Sequence, residues 1–198
     1  MEAIAVINQK GGVGKSTTAH AVGAGLSLRG FRVLYVDLDS QGNLTYTLGA
    51  DTEGITVMDV LRNQAPVREA VRKVELGDVI PSSPSLAAAD TILTATGKEY
   101  RLREALEPLR GEYDYCIMDT PPALGILTIN ALTACNGAII PAQADIYSLQ
   151  GVSQLYSTLD TVRRYCNPSL EILGIVLTRY SSRSIISREV AEMIEETA

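Results

Sequence analysis

Lys10-Gly11-Gly12-Val13-Gly14-Lys15-Ser16-Thr17 follows closely on the apolar stretch Ala3-Ile4-Ala5-Val6-Ile7. A short apolar strand opening into a glycine-rich loop that ends in Gly-Lys-Ser is the layout of a phosphate-binding P-loop. The glycines let backbone N–H groups turn inward and approach phosphate oxygens with no Cβ in the way. A helix expected from Lys15 to Arg29 aims its N-terminus and dipole at the same anion. Lys15 is then placed to reach the β- and γ-phosphates of ATP, and the Ser16 hydroxyl to ligate Mg²⁺. A glycine-rich turn that merely happens to precede a helix has no need of strand, glycines, lysine and hydroxyl in this order.

Two further segments repeat the pattern of an apolar run ending in an acid. Arg32-Val33-Leu34-Tyr35-Val36-Asp37 leads into Leu38-Asp39-Ser40-Gln41-Gly42-Asn43, and Tyr115-Cys116-Ile117-Met118-Asp119 leads into Thr120-Pro121-Pro122-Ala123-Leu124-Gly125. A strand that delivers a carboxylate to the C-terminal edge of a parallel sheet is the Walker B arrangement, which places Asp119 near Mg²⁺, through a water. Each such run is common among parallel strands. The three in this order point to one nucleotide site.

Lys10 is a second lysine that an ordinary P-loop does not require. With it, the loop resembles the deviant Walker A motif of the ParA/MinD ATPases. Asn8-Gln9, the segment Asp37–Asn43, Thr128-Ile129-Asn130-Ala131-Leu132, Ile140-Pro141-Ala142-Gln143 and Leu149-Gln150-Gly151 bring the resemblance closest to the ParA/Soj partition branch. It runs from about Met1 to Glu189. Two departures stand out: Ser40 replaces a usual proline, and Asp145 stands where a glutamate is common. Family members also continue beyond this length, so the chain is expected to be one P-loop ATPase domain, 1–198, lacking its C-terminal elements and part of the adenine pocket.

The resemblance implies an ATP-dependent homodimer in which Lys10 crosses to the nucleotide of the second subunit. It implies catalytic roles for Lys10, Lys15 and Asp39, the last positioning the attacking water, with Thr120–Gly125 as a second switch. It also implies a ParB-type partner and non-specific DNA binding in chromosome or plasmid partition. Arg183, in the polar loop Tyr180–Ser184, matches the place of a DNA-contacting arginine, and Arg188 follows it. Between Arg163 and Arg188 lie five arginines (163, 164, 179, 183 and 188) and one acid, Glu171, although the whole chain has net charge −6. Backbone binding depends on local charge rather than the chain total; a solvated basic face is the bland alternative. Two other classes remain: a MinD-like membrane switch, which needs a basic amphipathic C-terminal helix, and a P-loop small-molecule kinase, which needs an acceptor pocket.

Composition agrees with a soluble globular domain, at 46% hydrophobic and 20% charged residues. No signal-peptide pattern and no long apolar run is present, so a cytoplasmic protein without membrane insertion is expected, nucleoid-associated when ATP-bound. Cys116, Cys135 and Cys166 lack metal-ligand spacing and read as reduced, mostly buried thiols; a shared iron–sulfur cluster has no cysteine just after Asp119 to hold it. His20 reads as a packing or surface residue.

Strands are expected at 3–8, 32–37, 75–81, 115–119, 137–142 and 171–178. Helices are expected near 15–29, 56–63, 84–95, 100–109, 126–134, 149–165 and 185–197. Val152, Leu155, Leu159 and Val162 form one apolar face at helical spacing. Near-continuous apolar strands alternating with helices predict an α/β fold, a mostly parallel twisted sheet with helices on both faces. Active-site loops then gather at the C-terminal ends of the strands.

Overall fold

The computed structural model describes residues 1–197. Seven strands form one sheet: β1 (Glu2–Val6), β2 (Val33–Asp37), β3 (Arg72–Val74), β4 (Gly77–Ile80), β5 (Tyr115–Asp119), β6 (Gly137–Gln143) and β7 (Glu171–Thr178). Their order is β3-β4-β2-β5-β1-β6-β7, and every pairing is parallel except the β3–β4 hairpin. The helices are α1 (Lys15–Ser27), α2 (Asn43–Thr47), α3 (Val57–Leu61), α4 (Val67–Ala70), α5 (Ala89–Ile92), α6 (Arg101–Leu106), α7 (Ile126–Ala134), α8 (Ile146–Tyr165) and α9 (Ile185–Thr197).

Alternation along the buried strands divides the core into two layers. Ile4, Val6, Val33, Tyr35, Val79 and Ile117 face Ala19 of α1 and Leu44 of α2. The opposite set, including Ala5, Leu34, Val36, Cys116 and Met118, packs against residues of α3, α6, α7 and α8. Of the apolar stripe expected on α8, Leu155, Leu159 and Val162 are buried; the side chain of Val152 lies outside the described residues.

The expected architecture stands, with local differences. The strand expected at 75–81 is β4, and an additional strand, β3, precedes it and pairs antiparallel with it through a turn at Glu75–Leu76. Gly77 has φ 131°, and a Cβ there would lie 2.6 Å from the Val33 carbonyl oxygen, so only glycine fits. The helix expected at 84–95 is a 3₁₀ turn (Pro84–Ala88) followed by the short α5. Helices α2 (five residues) and α4 (four residues) are additional to those expected.

Helix α1 lies close to the sheet because Gly23 makes room for the Tyr35 ring. A Cβ at Gly23 would stand 2.2 Å from Tyr35 Cε1. Gly23→Ala is therefore expected to lower stability by about 2 kcal/mol in urea unfolding, because overpacking outweighs the helix-propensity gain of about 1 kcal/mol. A stability increase would contradict the close approach.

Candidate functional site

The loop after β1 takes its shape from two left-handed glycines, Gly12 (φ 72°) and Gly14 (φ 92°), the second capping α1. Val13 between them is buried and anchors the loop. Side chains from β6 and β7 hold it further: Thr178 Oγ1 donates to the Val13 carbonyl at 2.8 Å, and Gln143 Nε2 to the Gly12 carbonyl at 3.1 Å. Asn8 Oδ1 accepts from the Lys10 N–H at 2.8 Å while its amide donates to the Pro141 carbonyl at 2.7 Å. The loop is thus fixed largely by neighbours far away in sequence, with the carbonyls of Gly12 and Val13 taken up by Gln143 and Thr178.

Around it opens a cleft of about 970 Å³ lined by Gly11–Thr18, His20, Asp39–Gln41, Asp90, Pro121–Ala123, Thr178 and Arg179, among others. Lys15 is buried, and its Nζ donates to the Lys10 carbonyl at 3.1 Å. Burial lowers its pKa, and the nearby carboxylates Asp119 and Asp39 oppose that shift. Asp37 and Asp119 are register neighbours on β2 and β5, both fully buried. Burial pushes Asp119 up to about 7; the Ser16 hydroxyl offsets part of the shift, Asp37 and Asp39 add to it, and Lys15 opposes it.

The two paired acids have different roles. Asp37 accepts from the Thr45 N–H (2.8 Å), the Thr45 hydroxyl (2.7 Å) and the Asp39 N–H (3.1 Å), so it organises the loop that carries Asp39. Neither oxygen of Asp119 has a partner in hydrogen-bond geometry among the described residues, although the Ser16 hydroxyl lies near enough to favour its ionised form. A buried carboxylate left in this way, beside the Ser16 hydroxyl, offers the hard oxygen donors that suit Mg²⁺.

Residues 1–172 match the family model described as an AAA domain. The chain is 43% identical over 196 residues to the chromosome partitioning protein ParA of Myxococcus xanthus, covering 96% of this chain and 69% of that protein. It is 44% identical over 198 residues to the sporulation initiation inhibitor protein Soj of Bacillus subtilis, covering 98% and 78%. The chain belongs to the ParA/Soj family of P-loop ATPases. A crystal structure described as cobyrinic acid a,c-diamide synthase from Mycobacterium smegmatis, with bound ATP analog and magnesium, matches it with a TM-score of 0.95. That match has 39% identity and covers 100% of this chain and 83% of the other.

The structure gathers the sequence-predicted residues of this ParA/Soj-family site, Gly11–Thr17, Asp39 and Asp119, around one cleft. Lys10 instead turns to its own chain, its Nζ 2.6 Å from Asp145 Oδ2. The five arginines differ in their surroundings. Arg163 donates to the Leu170 carbonyl at 2.8 Å and lies 3.6 Å from Asp160, Arg164 stacks over Tyr165, and Arg179 lines the nucleotide cleft. Arg183 and Arg188 are exposed at the entry to α9. His20 lines the cleft too. Cys116 and Cys135 are buried thiols, pushed up to about 12 by burial.

Sequence reading missed Thr45, Ser82, Asp90 and Thr178, single polar residues whose spacing carries no signal. Thr45 supports a direct test. Thr45→Val strips one donor from a buried carboxylate and the acceptor from the buried Ser82 N–H, and is expected to cost about 2 kcal/mol of stability, while Thr45→Ser retains most of it. Urea unfolding of the two variants side by side checks this; equal stability would contradict it.

Proposed function

We propose that this protein is an ATP-driven switch of a DNA partition system. The observation that carries the reading is the buried, unpartnered Asp119 carboxylate beside Lys15 and Ser16 at the open end of the P-loop. ATP would lie with its phosphates against Lys10–Thr17, Lys15 neutralising the β- and γ-oxygens, and Ser16 and Asp119 (through water) would hold Mg²⁺. The metal, when bound, would supply charge neutralisation for phosphoryl transfer. Asp39 orients a water whose oxygen bonds the γ-phosphorus as the bridging P–O bond breaks, releasing ADP and phosphate. The reaction needs mainly positioning and fixed charge, which a preformed loop supplies.

Two copies close face to face on ATP, and hydrolysis reopens them. In the closed state Lys10 leaves Asp145 and contacts the nucleotide of the second copy, in the manner of an arginine finger. The exposed Arg183 and Arg188 then lie on a doubled surface that neutralises DNA phosphates without reading bases. A ParB-type partner that stimulates hydrolysis completes the reading, and matches to a ParA and to Soj support it. Among the described residues no helix is long and apolar enough to cross a membrane.

Asp39→Ala is expected to keep ATP binding and lose most turnover, because a water-orienting carboxylate acts on the barrier more than on the ground state. Normal phosphate release per bound ATP would overturn that role. Lys10→Ala is expected to bind ADP normally but to weaken ATP-dependent dimerisation in light scattering; unchanged ATP dimers would make Lys10 a partner of Asp145 only. Arg183→Glu is expected to weaken binding to all DNA sequences alike and to reduce the log–log salt slope by roughly 0.9 for each DNA phosphate that is no longer neutralised. Absence of ATP-dependent DNA retardation at low salt in the unsubstituted protein would overturn the partition reading.

A further inference from the structure

Ser82 and Asp90 sit on one connection, the stretch that leaves β4 and ends with α5, yet each is bonded to a different loop of the site. Ser82 is 2% exposed. Its hydroxyl donates to the Asp39 carbonyl, and its N–H donates to Thr45 Oγ1 at 3.0 Å. It therefore grips both ends of the segment from Asp39 to Thr45. Asp90 Oδ1 accepts from the Ile126 N–H at 2.9 Å, at the first residue of α7 and immediately after the loop Thr120–Gly125.

The approach of Asp90 is close enough to dictate the residue opposite. A Cβ at Gly125 would lie 2.6 Å from Asp90 Oδ2, although the backbone there (φ −88°) is one that any residue adopts. Glycine at 125 therefore serves the close approach and not the conformation. Asp90 itself is exposed and could be solvated at no cost, but it caps α7 instead. Between Ser82 and Asp90, Leu86 and Ala89 are buried in the core, so the connection has a fixed base under the sheet. Leu86, Ala87 and Asp90 also line the nucleotide cleft.

We propose that Ser82 and Asp90 are positioning residues for hydrolysis, and that the connection carrying them is a brace setting the separation between Asp39 and the Thr120–Gly125 loop. This rests on the reading of Asp39 as the water-orienting group and of Thr120–Gly125 as the second nucleotide-sensing loop. A brace acts on geometry, and small misplacements of reacting groups carry large rate penalties while leaving substrate binding intact.

The test is steady-state ATP hydrolysis with Mg²⁺, with rates normalised to bound nucleotide so that a misfolded fraction does not count. Ser82→Ala and Asp90→Ala are each expected to lower kcat about tenfold with KM within about twofold. The double variant is expected to be no slower than either single one, since a brace released at one end is already released. Asp90→Asn keeps an acceptor for the Ile126 N–H and is expected to restore kcat to within about threefold of the parent. Unchanged kcat in the single variants overturns the brace. Losses that multiply in the double variant overturn it too, because they mean two independent local effects. Asp39→Ala runs in parallel: if it hydrolyses ATP normally, the underlying reading of Asp39 fails. If it is inactive while the Ser82 and Asp90 variants are normal, the brace fails alone.

Discussion

Two carboxylates stand side by side on neighbouring parallel strands, Asp37 on β2 and Asp119 on β5, with no access to solvent. Like charges at paired positions of a sheet repel, and burial makes ionising both more costly still. The fold answers this asymmetrically. Asp37 receives three protein donors and becomes a structural hub, while Asp119 is left with none in bonding geometry, close to Lys15 and Ser16. The unrelieved half of this pair is what gives the cleft its appetite for a divalent cation and, with it, phosphate.

The sheet order puts that pair where it is useful. With β1 and β2 flanking β5, the loop after β1, the loop after β2 and the loop after β5 emerge together at one edge. Thr178 and Gln143, from β7 and β6, then lock the P-loop from its other side. Positioning across the site is therefore carried by parallel pairing and a few long-range hydrogen bonds. The loops themselves do not need to be rigid.

The sequence made the strand–loop–helix unit legible because its residues are contiguous and each type has a fixed task. Gly12, Gly14, Lys15, Ser16 and Asp39 line one cleft, and the buried Asp119 lies close to Lys15 and Ser16. The residues that were not legible act through partners distant in the chain. Lys10 pairs with Asp145, Ser82 with Asp39, Asp90 with Ile126, and Thr178 with Val13, and no spacing announces such pairings. The arginines that crowd together in sequence fall on different elements, Arg163 in α8, Arg179 just after β7 and Arg183 in the loop before α9, which sequence proximity alone does not show.

The measurement that bears most directly on the unpartnered carboxylate is the Mg²⁺ dependence of ATP affinity, by calorimetry, in the parent protein and in Asp119→Asn. Mg²⁺ is expected to tighten ATP binding in the parent by at least about tenfold, equivalent to about 1.4 kcal/mol. In Asp119→Asn, with the metal-facing charge removed, that gain is expected to shrink to about twofold or less. Equal affinity with Mg²⁺ and with chelator in the parent protein, or an undiminished gain in Asp119→Asn, would contradict the role assigned to Asp119.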